Sequence, residues 1–160
     1  MKRSGPLPRK SALRSRSRLR PVSRKRAKAI PLDKLLHQVV RLRDVTCQLQ
    51  AAGLGRCGGN LQVSHIYPKG RYPSMRFRLE NVLLSCWRHH TNQSSDSWHT
   101  NPLHYAAWFN ASYPRLARQL ELMAAVPGKV DRKLDRLYLE AEAAKYGIQP
   151  ERLKRPRHDR

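Results

Sequence analysis

Cys86-x-x-His89 sets two soft metal ligands a single turn apart, and Cys47 and Cys57 supply a second pair upstream. Two such pairs can surround a tetrahedral ion, and a Cys3His set suits a structural Zn2+ tying both ends of a small sheet together. Nine residues separate Cys47 from Cys57, more than a standard knuckle uses. The plain alternative is three small cysteines filling a core. A Cys47–Cys57 disulfide is the poorer reading. No apolar segment follows the basic N-terminus as a signal peptide requires, which points to a cytoplasmic chain with reduced thiols.

Outside that quartet stand His65, Asn81 and His90: a histidine in a strand, an asparagine about 15 residues on, and a histidine in a following helix. This is the order of the HNH motif. Hydrolysis of a phosphodiester needs a base to activate water, and neutral imidazole performs that task near neutral pH. It also needs a cation, here Mg2+ or Mn2+, to neutralise charge at the phosphate and the leaving oxygen. His65 is the expected base, and His90 the cation ligand. Asn81 either secures the His65 loop through its amide or reaches the cation. Singly, each has an ordinary role as a core histidine, a turn residue or a solvated helix residue. His99, in "SWHTNP", is a further candidate ligand for the catalytic cation, set against a simple loop histidine.

The elements that must position these residues follow from periodicity and punctuation. Leu35, Leu36, Val39, Val40 and Leu42 recur at helical spacing, so a helix is expected over "LDKLLHQVVRLRD", opened by Pro31 or Asp33. A Gly-rich knuckle over 47–60 leads to strands at 61–67 and 81–86, and "WRHHTNQSS" forms a short helix. Asn101 as N-cap and Pro102 at the first position start another helix. Further helices are expected from Pro114 to about Val126, and over 129–146 with Val130, Leu134, Leu137, Tyr138, Ala141 and Ala144 on one face. The fold class is α+β: a small zinc-stabilised core over 32–110, C-terminal helices over 111–148, a disordered basic arm over 1–31 and a basic tail over 149–160.

Charge names the partner. The chain of 160 residues carries a net +22, and 12 of its first 30 residues are Lys or Arg with no acid among them. Removing those 12 charges leaves about +10 on the remainder, so the folded part is itself basic. Such a balance points to DNA, bound with strong salt dependence. A membrane surface is the rival partner, disfavoured because the arm lacks the apolar face of an interfacial helix and the chain has no apolar run of about 18 residues. The loop from Pro68 to Arg78 interleaves Lys69, Arg71, Arg76 and Arg78 with Tyr72 and Phe77, and Arg88 follows in the short helix. These cations are expected on phosphate oxygens, with rings against sugars or bases. The alternative is a solvated basic loop whose rings belong to the core.

The segments "RLRD", "SHIYPKGRYPSMRFRLENVLLSC" and "WRHH", behind a Lys/Arg/Pro/Leu-rich arm, resemble HNH (ββα-metal) endonucleases, in particular the NinG/Rap family of phage recombination nucleases. The resemblance covers roughly residues 1–110 and is most specific over 63–90. It implies a zinc-stabilised, metal-dependent hydrolase acting on branched DNA during bacteriophage recombination, in the host cytoplasm. Three departures mark this chain. Ser64 stands where HNH enzymes often place an Asp that ligates the cation, His89 replaces a cysteine, and the first cysteine pair is widely spaced. Other readings are a zinc-stabilised nucleic-acid-binding protein without activity, an HNH nuclease of homing or packaging type, and a basic RNA-binding protein of the ribosomal kind.

Overall fold

A computed structural model describes residues 23–93, 96–126 and 128–149, which form helices around a two-stranded antiparallel sheet. The first helix, α1 (Arg24–Asp44), begins seven residues before Pro31 and so shortens the expected 1–31 arm. Ser23 caps it, its hydroxyl accepting from the Arg26 N–H at 3.3 Å. "RKRAKA" is rich in good helix formers, and the buried Ala29 and Leu32 repay extension through Pro31. The disorder expected of residues 1–22, and the loose tail beyond 149, lie outside the described residues.

Leu35, Leu36, Val39 and Val40 are buried on α1 as the spacing predicts, whereas Leu42 is exposed. The end of α1 explains "RLRD". The Arg43 guanidinium donates to the Leu79 and Val82 carbonyls, both at 2.7 Å, and Asp44 accepts the Leu84 N–H at 2.8 Å. The Val82 and Leu84 groups belong to the outer edge of strand β2 (Val82–Cys86), which would otherwise face no neighbour, and the Leu79 carbonyl belongs to the turn just before it. Arg41 treats strand β1 (Leu61–His65) likewise, donating to the Leu61 carbonyl at 3.1 Å. Three residues of one helix turn thus replace missing strands.

Val45 closes α1 with φ +59° and ψ −47°, unfavourable for a β-branched residue, and its side chain is 67% exposed. Since little packing is lost, Val45→Gly is expected to stabilise the fold by about 1 kcal/mol, read as a higher urea midpoint with unchanged slope.

Both strands are shorter than expected, ending before Ile66 and starting after Asn81. The register pairs Leu61 with Cys86 and His65 with Val82, so the sheet carries a cysteine at one end and a histidine at the other. Helix α2 (Gln48–Ala51) follows Cys47, and α3 (Trp87–His90) leaves β2 directly and stops at His90, short of the expected "WRHHTNQSS". Asn101 caps α4 (Pro102–Ser112), which pairs with α5 (Pro114–Ala125).

The last helix, α6 (Arg132–Ala144), buries a different face from the expected one. Asp135, Leu139 and Ala143 are inside, while Leu134 and Leu137 are exposed. Asp135 tolerates burial because Arg132 pairs with it at 2.6 Å. Leu139 and Ala143 join the core of α1, Val63, Phe77, Val82 and Leu84, so no core boundary falls at residue 110. A second core gathers Cys47, Leu49, Met75, Leu83, Cys86, Trp98, Tyr105, Phe109 and Leu120. Among the described residues, no helix is long and apolar enough to cross a membrane.

Candidate functional site

Cys47, Cys57, Cys86 and His89 converge with all four ligand atoms within 4.8 Å of one another. Among the described residues they are the group of three or more His, Cys, Asp or Glu side chains arranged to hold a metal ion. His89 Nδ1 lies 3.4 Å from the Cys47 sulfur and 3.3 Å from that of Cys86. Bonds of about 2.3 Å to sulfur and 2.0–2.1 Å to nitrogen at tetrahedral angles give an S···N edge of about 3.5 Å, so the pocket has the dimensions of such an ion. The Leu54 carbonyl lies 3.1 Å from His89 Nε2. A carbonyl only accepts, so Nε2 carries the proton and Nδ1 turns its lone pair toward the sulfurs.

The knuckle is built to serve these sulfurs. The Gly58 N–H donates to Cys86 Sγ at 3.4 Å, and the Cys86 N–H donates to Cys47 Sγ at 3.3 Å. The Trp87 and Arg88 N–H groups return to the Asn60 and Gly58 carbonyls, laying residues 58–60 across the start of α3. Gly59, at φ +74°, is required there, since a Cβ would come within 2.9 Å of Trp87 Cβ. Burial, then hydrogen bonds to Cys86 and Cys47, push the Cys57 thiol up to about 12. Burial also opposes ionisation of Cys86, but hydrogen bonds from the Gly58 and His89 backbone outweigh it and hold that thiol below its ordinary value. Three sulfurs around one point cannot all ionise unaided, so an arriving dication displaces protons.

His65, His90 and His99 line one cleft of about 730 Å3, together with Lys69, Tyr67, Trp98 and Phe109. The Arg76 carbonyl lies 3.0 Å from His65 Nε2, which fixes the proton there and leaves Nδ1 bare. Burial lowers the His65 pKa below 6.5, so the ring is neutral at pH 7. His90 turns Nδ1 to the Gln62 side-chain oxygen at 2.8 Å, leaving Nε2 as its lone-pair atom. Burial, reinforced by His99, His65 and Lys69, pushes His90 down to about 4.

Asn81 does not reach the cleft. It is fully buried; its amide oxygen accepts the Tyr67 N–H at 2.8 Å, and its amide nitrogen donates to the Tyr67 and Met75 carbonyls at 3.0 and 3.2 Å. Of the two roles open to it, this geometry is that of securing the loop after His65. Asn81→Ala orphans all three backbone groups and is expected to cost about 2–4 kcal/mol, read as a lower urea midpoint. A variant of wild-type stability would contradict that role.

Ser64 is also buried, and its hydroxyl has no hydrogen-bond partner, as is true of Ser85. Of the basic residues, Lys69 is exposed at the cleft and Arg71 lies over Tyr72. Arg76 is committed elsewhere: its guanidinium makes two bonds to Asp33 on α1, at 2.6 and 3.1 Å. That pair anchors the residue whose carbonyl holds His65. Arg78 lies 4.9 Å above the Tyr138 ring, and Arg88 is exposed on α3. Gln62, Asp33 and the Leu54 and Arg76 carbonyls escape sequence reasoning, because each acts across the fold through an atom that no motif marks.

No family model, curated protein or solved structure matches this chain.

Proposed function

We propose that the protein is a metal-dependent DNA endonuclease with an HNH core, a structural Zn2+ on Cys47, Cys57, Cys86 and His89, and phosphodiester hydrolysis in the cleft beside it. The observation that carries the reading is the pairing of two neutral histidines in one cleft with opposite bare nitrogens, Nδ1 on His65 and Nε2 on His90. One is fitted to take a proton, the other to hold a cation. Three thiolates and one imidazole in tetrahedral dimensions favour zinc in the quartet.

In this reading His65 Nδ1 removes a proton from the attacking water, and the Arg76 carbonyl steadies the imidazolium that forms. His90 Nε2 would hold a cation, which would neutralise charge on the phosphate and the departing oxygen. Lys69 contacts a phosphate at the cleft mouth, Asn81 keeps the loop in register with His65, and Trp98 and Phe109 exclude water from one wall. Arg71 and Arg88 extend the phosphate track. The basic arm adds affinity without reading sequence. The resemblance to phage recombination nucleases supports branched DNA as the substrate. The rival reading, a nucleic-acid-binding protein without activity, draws on Ser64 and on the lack of any Asp or Glu lining the cleft among the described residues.

The test is cleavage of linear, single-stranded and four-way-junction DNA over a series of divalent ions. Nicking or cutting with at least one ion is expected, and the junction is expected to be the best substrate. DNA binding without cleavage under any ion would establish the rival.

A further inference from the structure

We propose that His90 and His99 form a two-imidazole cation site, oriented by Gln62, which takes a borderline transition-metal ion such as Co2+ or Ni2+ in preference to Mg2+. The proposal deepens the nuclease reading and rests on it for any effect on cleavage, whereas ion binding itself is a separate property.

The two rings stand at a separation that a shared ion would require. Their centroids lie 5.0 Å apart with the planes at 88°. Two imidazoles bonded to one ion at about 2.0–2.1 Å, at octahedral or tetrahedral angles, place their centres roughly 4.5–5.2 Å apart. Gln62 occupies Nδ1 of His90, so Nε2 is the nitrogen left to bind, which is the division of labour that outer partners impose on metal-bound histidines. His99 is exposed, yet its backbone is fixed. Its N–H donates to the His90 carbonyl at 3.3 Å, and the Trp98 N–H donates to that of His89 at 2.8 Å. The turn carrying His99 is therefore strapped to the helix carrying His90.

The donors decide the class of ion. Mg2+ sheds water reluctantly and is held through carboxylates, and neither Asp nor Glu lines this cleft among the described residues. Of the acids near the site, Asp33 pairs with Arg76, Asp44 caps the Leu84 N–H and Glu80 accepts the Tyr138 hydroxyl, while Asp96, three residues before His99, is exposed and does not line the cleft. Imidazole nitrogen ranks Co2+, Ni2+ and Zn2+ well above the hard ions, and two such donors leave positions open for water and a phosphate oxygen.

The test titrates Co2+ into full-length protein whose Cys3His quartet already holds Zn2+, followed by visible absorption and by metal counting after dialysis. One further equivalent of Co2+ is expected, with weak visible bands and no thiolate-to-cobalt charge transfer. Ni2+ should displace it, and a hundredfold excess of Mg2+ should not. His99→Ala and Gln62→Ala should each weaken binding at least about tenfold, whereas Gln62→Glu, a stronger acceptor for the Nδ1–H, should match or exceed wild type. The proposal is overturned if no Co2+ binds outside the quartet, if Mg2+ competes equally, or if His99→Ala binds as wild type does, since the rings are then in simple edge-to-face contact. Binding with the expected pattern but no DNA cleavage under any ion would defeat the nuclease reading and leave this site standing.

Discussion

Cys86→Ser is expected to lose the bound ion of the quartet and about 4–5 kcal/mol of stability, the size associated with removal of a metal site. The reason lies in the knuckle. Residues 51–60 are mostly exposed and include three glycines at positive φ, with Leu54 and Cys57 as their partly buried apolar groups. Fixing ten backbones costs roughly 10–20 kcal/mol, and burying a leucine returns only about 1.5–3 kcal/mol. An ion bonded to Cys47, Cys57, Cys86 and His89 would supply what packing cannot. A chelator should therefore melt the knuckle and α3 first, and the core of α1 and α6, built on Leu36, Val39 and Leu139, should follow in a separate and later transition. Elemental analysis should find about one zinc in gently purified wild type, the same in His90→Ala, and little in Cys86→Ser. Metal-free wild-type protein with an unchanged melt would remove the structural ion from this account.

The same contrast between local marks and distant partners explains what the sequence reveals. Cysteine and histidine are rare enough that the quartet is legible from residue type and spacing, even with nine residues inside the first pair. The start of α4 is equally plain, because Asn101-Pro102 is a signal complete in two positions. Pro31 misleads for the opposite reason. Taken locally it opens a helix, but the burial of Ala29 and Leu32 carries α1 through it. In α6 the aliphatic pattern selects a face that is exposed, because an acid at 135 looks like surface until Arg132 is seen beside it. Gln62 is the clearest case at the site. It sits 28 positions from His90, and only the turn of β2 into α3 brings the two within 2.8 Å. Asn81 lies between these extremes, since its residue type restricts it to two roles and its burial favours one.

His65→Ala is expected to lower single-turnover cleavage by at least about 10²–10⁴-fold, the range a positioned general base contributes, while DNA affinity changes less than about twofold. Binding should survive because the residue is neutral and contributes no charge to phosphate contacts. The fold should survive too: the His65 side chain makes one hydrogen bond, to the Arg76 carbonyl, worth about 0.5–1.5 kcal/mol. Asp33 and Arg76 stay paired in the variant and keep the loop in place. The pH dependence has a definite sign. A base must be unprotonated, so wild-type cleavage should be constant at neutral pH and fall as acid protonates the ring. Burial lowers the His65 pKa, so the midpoint of that fall should lie below 6.5. In His65→Ala that limb should vanish along with the activity, and any residual rate should rise with hydroxide concentration. Equal cleavage by variant and wild type would assign the proton to another group in the cleft, and His99 would be the first to substitute. A variant that loses DNA binding in step with cleavage would instead make His65 a contact residue and leave the reaction without its base.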